Sequence, residues 1–224
     1  MRRWLLIAIS LAYPLLVYLG LSLFQARWIA LLALGLFGLR LVALRLSRAD
    51  LSAEQQSLFT RLGLPFKEVM FFFGTAVLLL LIFEAWSSSG QLLLFLPAVF
   101  NFNFLLLFGL TLIRPPSLAE RIARLTTQDI TDEHVSYCYT VTACWSGLFL
   151  FNTIIALTTA LLGNLAIWTL FNGFIVYFLV AALFAGEATY RYWRFRAYNG
   201  SILDPFFRPF FPPLAEGDKG NDYP

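Results

Sequence analysis

Leu92-Leu93-Leu94-Phe95-Leu96-Pro97-Ala98-Val99-Phe100-Asn101-Phe102-Asn103-Phe104-Leu105-Leu106-Leu107-Phe108-Gly109-Leu110-Thr111-Leu112-Ile113-Arg114 is the stretch that decides the fold. No residue from Leu92 to Ile113 is charged, and the run stops at an arginine. A helix needs about 20 apolar residues to cross the hydrocarbon of a bilayer, and this stretch has that length. Five further windows read the same way: Trp4–Phe24, Trp28–Leu44, Val69–Trp86, Val141–Leu162 and Leu165–Ala185. The second is interrupted by Arg40, placed near one end where its side chain can snorkel to headgroups. The first follows Met1-Arg2-Arg3 and is too long for a signal-peptide core without a small-x-small cleavage site, so it reads as a retained helix.

Composition agrees. Hydrophobic residues make up 59% of the 224 and charged residues 13%, against about 25% charged in a soluble domain. Such a chain cannot cover itself with a water-compatible surface, so lipid must be much of its solvent. The 24 phenylalanines and 6 tryptophans suit acyl chains and headgroup belts.

The connections alternate. Gln25-Ala26-Arg27, Ser87-Ser88-Ser89-Gly90 and Gly163-Asn164 are tight turns, whereas Arg45–Glu68, Arg114–Thr140 and the chain beyond Glu187 are long and polar. This layout puts Arg2, Arg3, Arg40, Arg45, Arg48, Arg61, Lys67, Arg114, Arg121, Arg124, Arg191, Arg194, Arg196, Arg208 and Lys219 on one side and only Arg27 on the other. By the positive-inside rule the basic side is cytoplasmic. The expected fold is all-α: a polytopic, multi-pass inner-membrane protein of six transmembrane helices in three hairpins, N-in and C-in. Residues 1–198 form the membrane domain and 199–224 a Pro/Phe-rich cytoplasmic tail, disordered at its end.

The net charge of +3 does not point to nucleic acid, because the bases follow topology and no recognition motif accompanies them. Cys138 and Cys144 read as free thiols on the reducing side. After Pro115-Pro116, residues 117–125 place Leu118, Ile122 and Leu125 on one helical face. Ser117 is the expected N-cap and Glu120 its capping-box partner. This is either an interfacial helix on the inner leaflet or an ordinary solvated loop helix. In the tail, Asp204-Pro205-Phe206-Phe207-Arg208-Pro209-Phe210-Phe211-Pro212-Pro213 is expected to avoid regular helix and to pack its phenylalanines on the bundle, lipid or a partner.

Polar groups at membrane depth are costly and so are candidate functional residues. Asn101, Asn103, Asn152 and Asn172 would either bond between helices or line an intramembrane polar cavity. Glu84, near Trp86 and the serine turn, is expected to snorkel to water. Ala182 and Gly186 form a small-xxx-small pair that permits a close crossing. Glu187 and Arg191 are spaced for a helical ion pair. Together with Arg114, Arg121, Arg124 and Arg194 they form a candidate headgroup site, weighed against a simple depth anchor. Asp129, Asp132, Glu133 and His134 read as a solvated acidic loop, since their spacing fits no metal or catalytic motif. No catalytic residue, metal or cofactor is expected.

Arg114-Pro115-Pro116-Ser117-Leu118-Ala119-Glu120-Arg121-Ile122-Ala123-Arg124-Leu125, Cys144-Trp145-Ser146-Gly147-Leu148-Phe149-Leu150-Phe151-Asn152, Phe171-Asn172-Gly173-Phe174-Ile175-Val176-Tyr177 and Phe184-Ala185-Gly186-Glu187 together resemble an uncharacterised family of bacterial inner-membrane proteins. That family is associated with aryl-polyene/xanthomonadin-type pigment biosynthesis clusters. The resemblance runs from Asn101 to about Arg196. It implies a setting rather than an activity: handling of a lipid-like polyene or acyl product, with acyltransferase or polyene-assembly enzymes and membrane lipids as partners. The expected role is a non-enzymatic accessory or docking component. A small exporter or flippase-like transporter and a membrane-embedded acyl or glycosyl transferase are the alternatives, and the oligomeric state is open.

Overall fold

The computed structural model describes residues 28, 31, 34–35, 66–87, 89–126, 130–196, 198 and 203–213. The expected first helix, almost all of the second, most of the 45–68 connection, Asp129 and the tail beyond 213 lie outside them. The described residues are helical, with no strand among them. In chain order they form α1 (Phe66–Ser87), α2 (Leu96–Ile113, entered through a 3-10 turn at Leu92–Phe95), α3 (Leu118–Thr126), α4 (Asp132–Leu162), α5 (Leu165–Leu170), a π-helical segment (Phe171–Ile175), α6 (Val176–Phe195) and the single turn α7 (Asp204–Phe207). Three stretches are long and apolar enough to cross a membrane: Leu92–Ile113, Asp132–Leu162 and Leu165–Phe195. Phe71–Ser87 is apolar as well. Phe71, Phe72, Phe83, Phe174 and Phe178 all face outward, as lipid permits and water does not.

The chain forms two compact units, Met1–Tyr177 and Phe178–Pro224, with the boundary inside α6. In the first, α2 pairs with α4 along most of its length. Ring stacking of Phe104 on Phe149 at 5.2 Å fixes their antiparallel register. Leu94, Ala160 and Trp168 close one end as a small core, and the Trp168 indole N–H donates to the Leu94 carbonyl at 2.8 Å. That bond ties the entrance of α2 to α5.

The entrance of α2 depends on Glu84. Its carboxylate is fully buried and accepts the backbone N–H groups of Gly90 at 2.6 Å and Leu92 at 3.0 Å. The expectation that Glu84 reaches water is therefore corrected. Helix starts leave backbone donors without intrahelical acceptors, and a carboxylate placed there makes charge-assisted bonds with them. Gly90 turns the chain with φ of 75°, a conformation that favours glycine.

α4 begins nine residues before the expected 141 and is 31 residues long. Thr131 caps it by accepting the His134 N–H, and Asp132 and Glu133 occupy its first turn, where acidic groups complement the helix dipole. Asp132, Glu133 and His134 are thus a helix start and not a solvated loop. The Gly163-Asn164 turn is as expected: Gly163 adopts φ of 65° after α4, and the Asn164 side-chain Oδ1 accepts from the Ala166 and Ile167 N–H groups. The sixth window also runs on, past Ala185 and Glu187 to Phe195. Cys138 and Cys144 are free thiols, the first buried and the second exposed.

In the second unit, Ala182 and Gly186 are exposed and no side chain lies against Gly186, so the small pair makes no close crossing among the described residues. Pro205 does not prevent a helical turn, because it stands at the start of α7 where its missing N–H is no loss. Phe207 stacks on Tyr192 at 4.5 Å, and with Ala188, Tyr198 and Phe211 they make a small aromatic core.

Glu84→Ala should lower the stability of the purified protein by about 2–3 kcal/mol, the scale of a buried charged acceptor removed from its donors. Glu84→Gln should lose less. Thermal unfolding in detergent checks both.

Candidate functional site

The buried face of α4 reads Cys138, Thr142, Ser146, Phe149, Asn152, Thr153, Ala156, Thr159 and Ala160. Steps of three and four make it one continuous stripe. Most of its polar side chains bond back to their own helix: Thr142 to the Cys138 carbonyl, Ser146 to Thr142, Thr153 to Phe149 and Thr159 to Ala156, at 2.7–3.1 Å. Such self-satisfaction is the ordinary solution for a hydroxyl in an apolar helix.

Asn152 is the exception. It is 0% exposed, and neither its Nδ2 nor its Oδ1 has a hydrogen-bonding partner among the described residues. On α2, Phe104 pairs with Phe149 and Leu94 with Ala160, so antiparallel register sets Asn101 on the level of Asn152, with Asn103 beside it. Asn101 donates to its own Pro97 carbonyl at 2.8 Å. Asn103 is buried. From the π-helical segment, Asn172 donates to the Trp168 carbonyl at 3.0 Å and reaches Thr159 on α4 at 3.5 Å, while its Oδ1 has no partner. The Thr169 hydroxyl, buried one turn earlier, has none either. The four amides thus share a layer about two turns deep but are not bonded to one another. Asn101 and Asn172 each donate to a carbonyl of their own helix, and the atoms without a partner among these side chains are both polar atoms of Asn152, Oδ1 of Asn172 and the Thr169 hydroxyl.

An aromatic box borders this layer. Phe149, one turn from Asn152, contacts Phe104, Phe108 and Trp145 with centroids 5.2–5.8 Å apart. On the other side Phe151 meets Phe171 edge-on at 6.3 Å. The π-helical segment carries Asn172, and π-bulges occur frequently at functional sites because they re-aim one side chain. None of the residues named in this layer is charged.

The candidate basic site divides between the two units. In the first, α3 starts in a ring of three buried hydroxyls. Thr111 from α2 accepts the Leu118 N–H at 2.9 Å, Thr142 from α4 accepts the Ala119 N–H at 3.1 Å, and Ser117 accepts the Glu120 N–H at 3.4 Å. Ser117 is the expected cap. Glu120 departs from the capping box: its buried carboxylate takes the Arg124 guanidinium at 2.6 Å instead. The Arg121 guanidinium donates to the Pro116 and Arg114 carbonyls at 2.7 and 3.0 Å, which fastens the turn before α3. Leu118 is buried, whereas Ile122 and Leu125 are exposed on the outer face of α3. In the second unit, Arg191 pairs with Glu187 at 3.5 Å and lies over the Tyr192 ring, and Arg194 is in the last turn of α6.

Three of the candidate catalytic side chains, Glu120, Glu187 and His134, have local partners. The Glu120 carboxylate holds Arg124 and that of Glu187 holds Arg191. His134 Nδ1 lies 2.6 Å from the Thr131 hydroxyl. No group of three or more His, Cys, Asp or Glu that could hold a metal ion occurs among the described residues. Thr111, Thr142, Thr159 and Thr169 were not singled out from sequence, though their three-and-four spacing with buried neighbours is a usable signal. Comparison with protein-family models, with curated proteins and with solved structures returns no match to this chain.

Thr111→Val and Thr142→Val should each cost about 1 kcal/mol, the usual value of a lost helix cap. Because both hold the start of α3, the double variant should lose a different amount from the sum. Unfolding midpoints for the four proteins check this.

Proposed function

We propose that this chain is a six-span inner-membrane protein, N-in and C-in, that holds an uncharged polar group of a lipid-like molecule at the amide layer around Asn152. The single observation that carries the reading is the fully buried Asn152 amide with both polar atoms unpartnered. A buried amide without partners costs several kcal/mol in an apolar medium. An Asn kept there is explained by something that bonds to it. The side-chain oxygen of Asn172, which meets α4 at Thr159 about two turns from Asn152, adds an acceptor, and the Thr169 hydroxyl one turn before it a donor–acceptor. The complementary ligand therefore both donates and accepts, as a hydroxyl or amide does. A carboxylate or phosphate would meet no cation among the described residues of this layer, and its desolvation would oppose entry. The aromatic box of Phe104, Phe108, Trp145 and Phe149 suits a flat, unsaturated or acyl body.

On this reading the protein is an accessory component that receives an aryl-polyene or acyl product from cytosolic assembly enzymes or acyltransferases. The orientation comes from the basic-residue split along the sequence. Docking of those enzymes is assigned to α3, which is tied to both α2 and α4 and exposes Ile122 and Leu125.

Asn152→Leu separates binding from structure. Removal of an unpartnered buried amide should raise the melting temperature of the ligand-stripped protein and lower co-purifying hydroxyl- or amide-bearing lipid about tenfold, read by mass spectrometry of extracts. A lower melting temperature with undiminished lipid would show a structural amide and sink the reading.

A further inference from the structure

In the second unit, the Pro/Phe segment is built to hold two aromatic rings outward. Tyr192 near the end of α6 fixes its base: the phenol donates to Asp204 at 2.6 Å while the ring stacks on Phe207. Tyr198 donates to the Phe211 carbonyl, and Arg208 covers the Tyr198 ring at 5.6 Å. With Phe207 and Phe211 turned toward this base, Phe206 and Phe210 project from the adjoining face, 63% and 67% exposed, with centroids 5.8 Å apart. An unstructured tail would leave all four rings equivalent. Here an inner pair anchors and an outer pair is displayed.

We propose that Phe206 and Phe210 form a wedge that inserts among the headgroups of anionic lipids, with the arginines around it meeting lipid phosphates. Three observations favour lipid over another protein. α7 begins nine residues past Phe195, the end of a helix long enough to cross a membrane, and a chain that short reaches at most about 30 Å. Among the described residues of this unit charge is complementary: Arg191, Arg194, Arg196 and Arg208 stand against Glu187 and Asp204, of which the first pairs with Arg191 and the second accepts from Tyr192, while Glu216, Asp218, Lys219 and Asp222 lie in the tail beyond them. Juxtamembrane arginines gain from an anionic leaflet. The exposed rings also continue an aromatic belt, since Tyr190 and Trp193 are exposed on the last turns of α6 and aromatic residues gather at membrane interfaces. The wedge takes its membrane location from helix length and is independent of the Asn152 reading.

The test is the full chain in nanodiscs of phosphatidylcholine with or without phosphatidylglycerol, with Phe210→Trp as reporter after subtraction of the wild-type tryptophan emission. The expected added emission is blue-shifted, quenched by lipids brominated near the headgroup and protected from aqueous iodide. Quenching by bromolipid should be several-fold greater with phosphatidylglycerol present. Quenching by iodide alone would overturn the proposal, and so would shielding from both quenchers, which would mean a protein cover. Equal bromolipid quenching in both disc types would overturn the anionic-lipid assignment. Phe206→Trp reads the same face if the first variant does not fold.

Discussion

Every helix start described in this chain needs acceptors for backbone N–H groups that the helix itself cannot supply, and in an apolar medium water does not supply them either. The few polar side chains are placed accordingly. Glu84 serves Gly90 and Leu92. Thr111, Thr142 and Ser117 serve three successive donors of α3. Thr131 serves α4 and Asn164 serves α5. Three of these capping side chains, Glu84, Thr111 and Thr142, come from a neighbouring helix instead of the adjoining residue, and those three do more than close a helix end. Glu84 couples α1 to the entrance of α2, and the paired threonines join α2, α3 and α4 at a single point. Apolar packing supplies cohesion along the helices, while the caps determine where the helices start and which neighbours they hold.

This explains what could be read from the sequence and what could not. The run from Leu92 to Ile113 is legible because a span announces itself by length and lack of charge, and the described helix has those bounds. Glu84 reads as a surface group because Trp86 and a serine turn are its neighbours in sequence; the N–H donors it serves lie six and eight residues ahead, across a turn that periodicity does not resolve. The start of α4 was misread for a related reason. Asp132, Glu133 and His134 resemble a solvated loop by composition, yet Thr131 followed by two acids is equally a helix-start signature. For the paired threonines, spacing signals only that each lies on a buried face; a Thr in an apolar run carries no sign of which backbone it will meet.

The tail shows the opposite error. Proline was given too much weight in Asp204–Pro213, and the Tyr192 phenol and ring, which organise the segment, lie twelve and more residues upstream. Position within a turn decides what proline does: at its first residues the fixed φ and absent N–H are harmless.

The amides separate along the same principle. A polar side chain in an apolar helix has an inexpensive recourse, a bond to a carbonyl one turn back, and Asn101, Asn172, Thr142, Ser146 and Thr153 all take it. Asn152 is on the same stripe, between residues that do so, but its amide makes no such bond. Leu or Ala at this position would leave no polar atom open. Asn172, in the π-helical segment, reaches across to Thr159 and still leaves its carbonyl oxygen open. Among the described amides, then, open valences on one layer of α4 and the π-segment are the part of the structure that folding alone does not explain, which is why function is placed there.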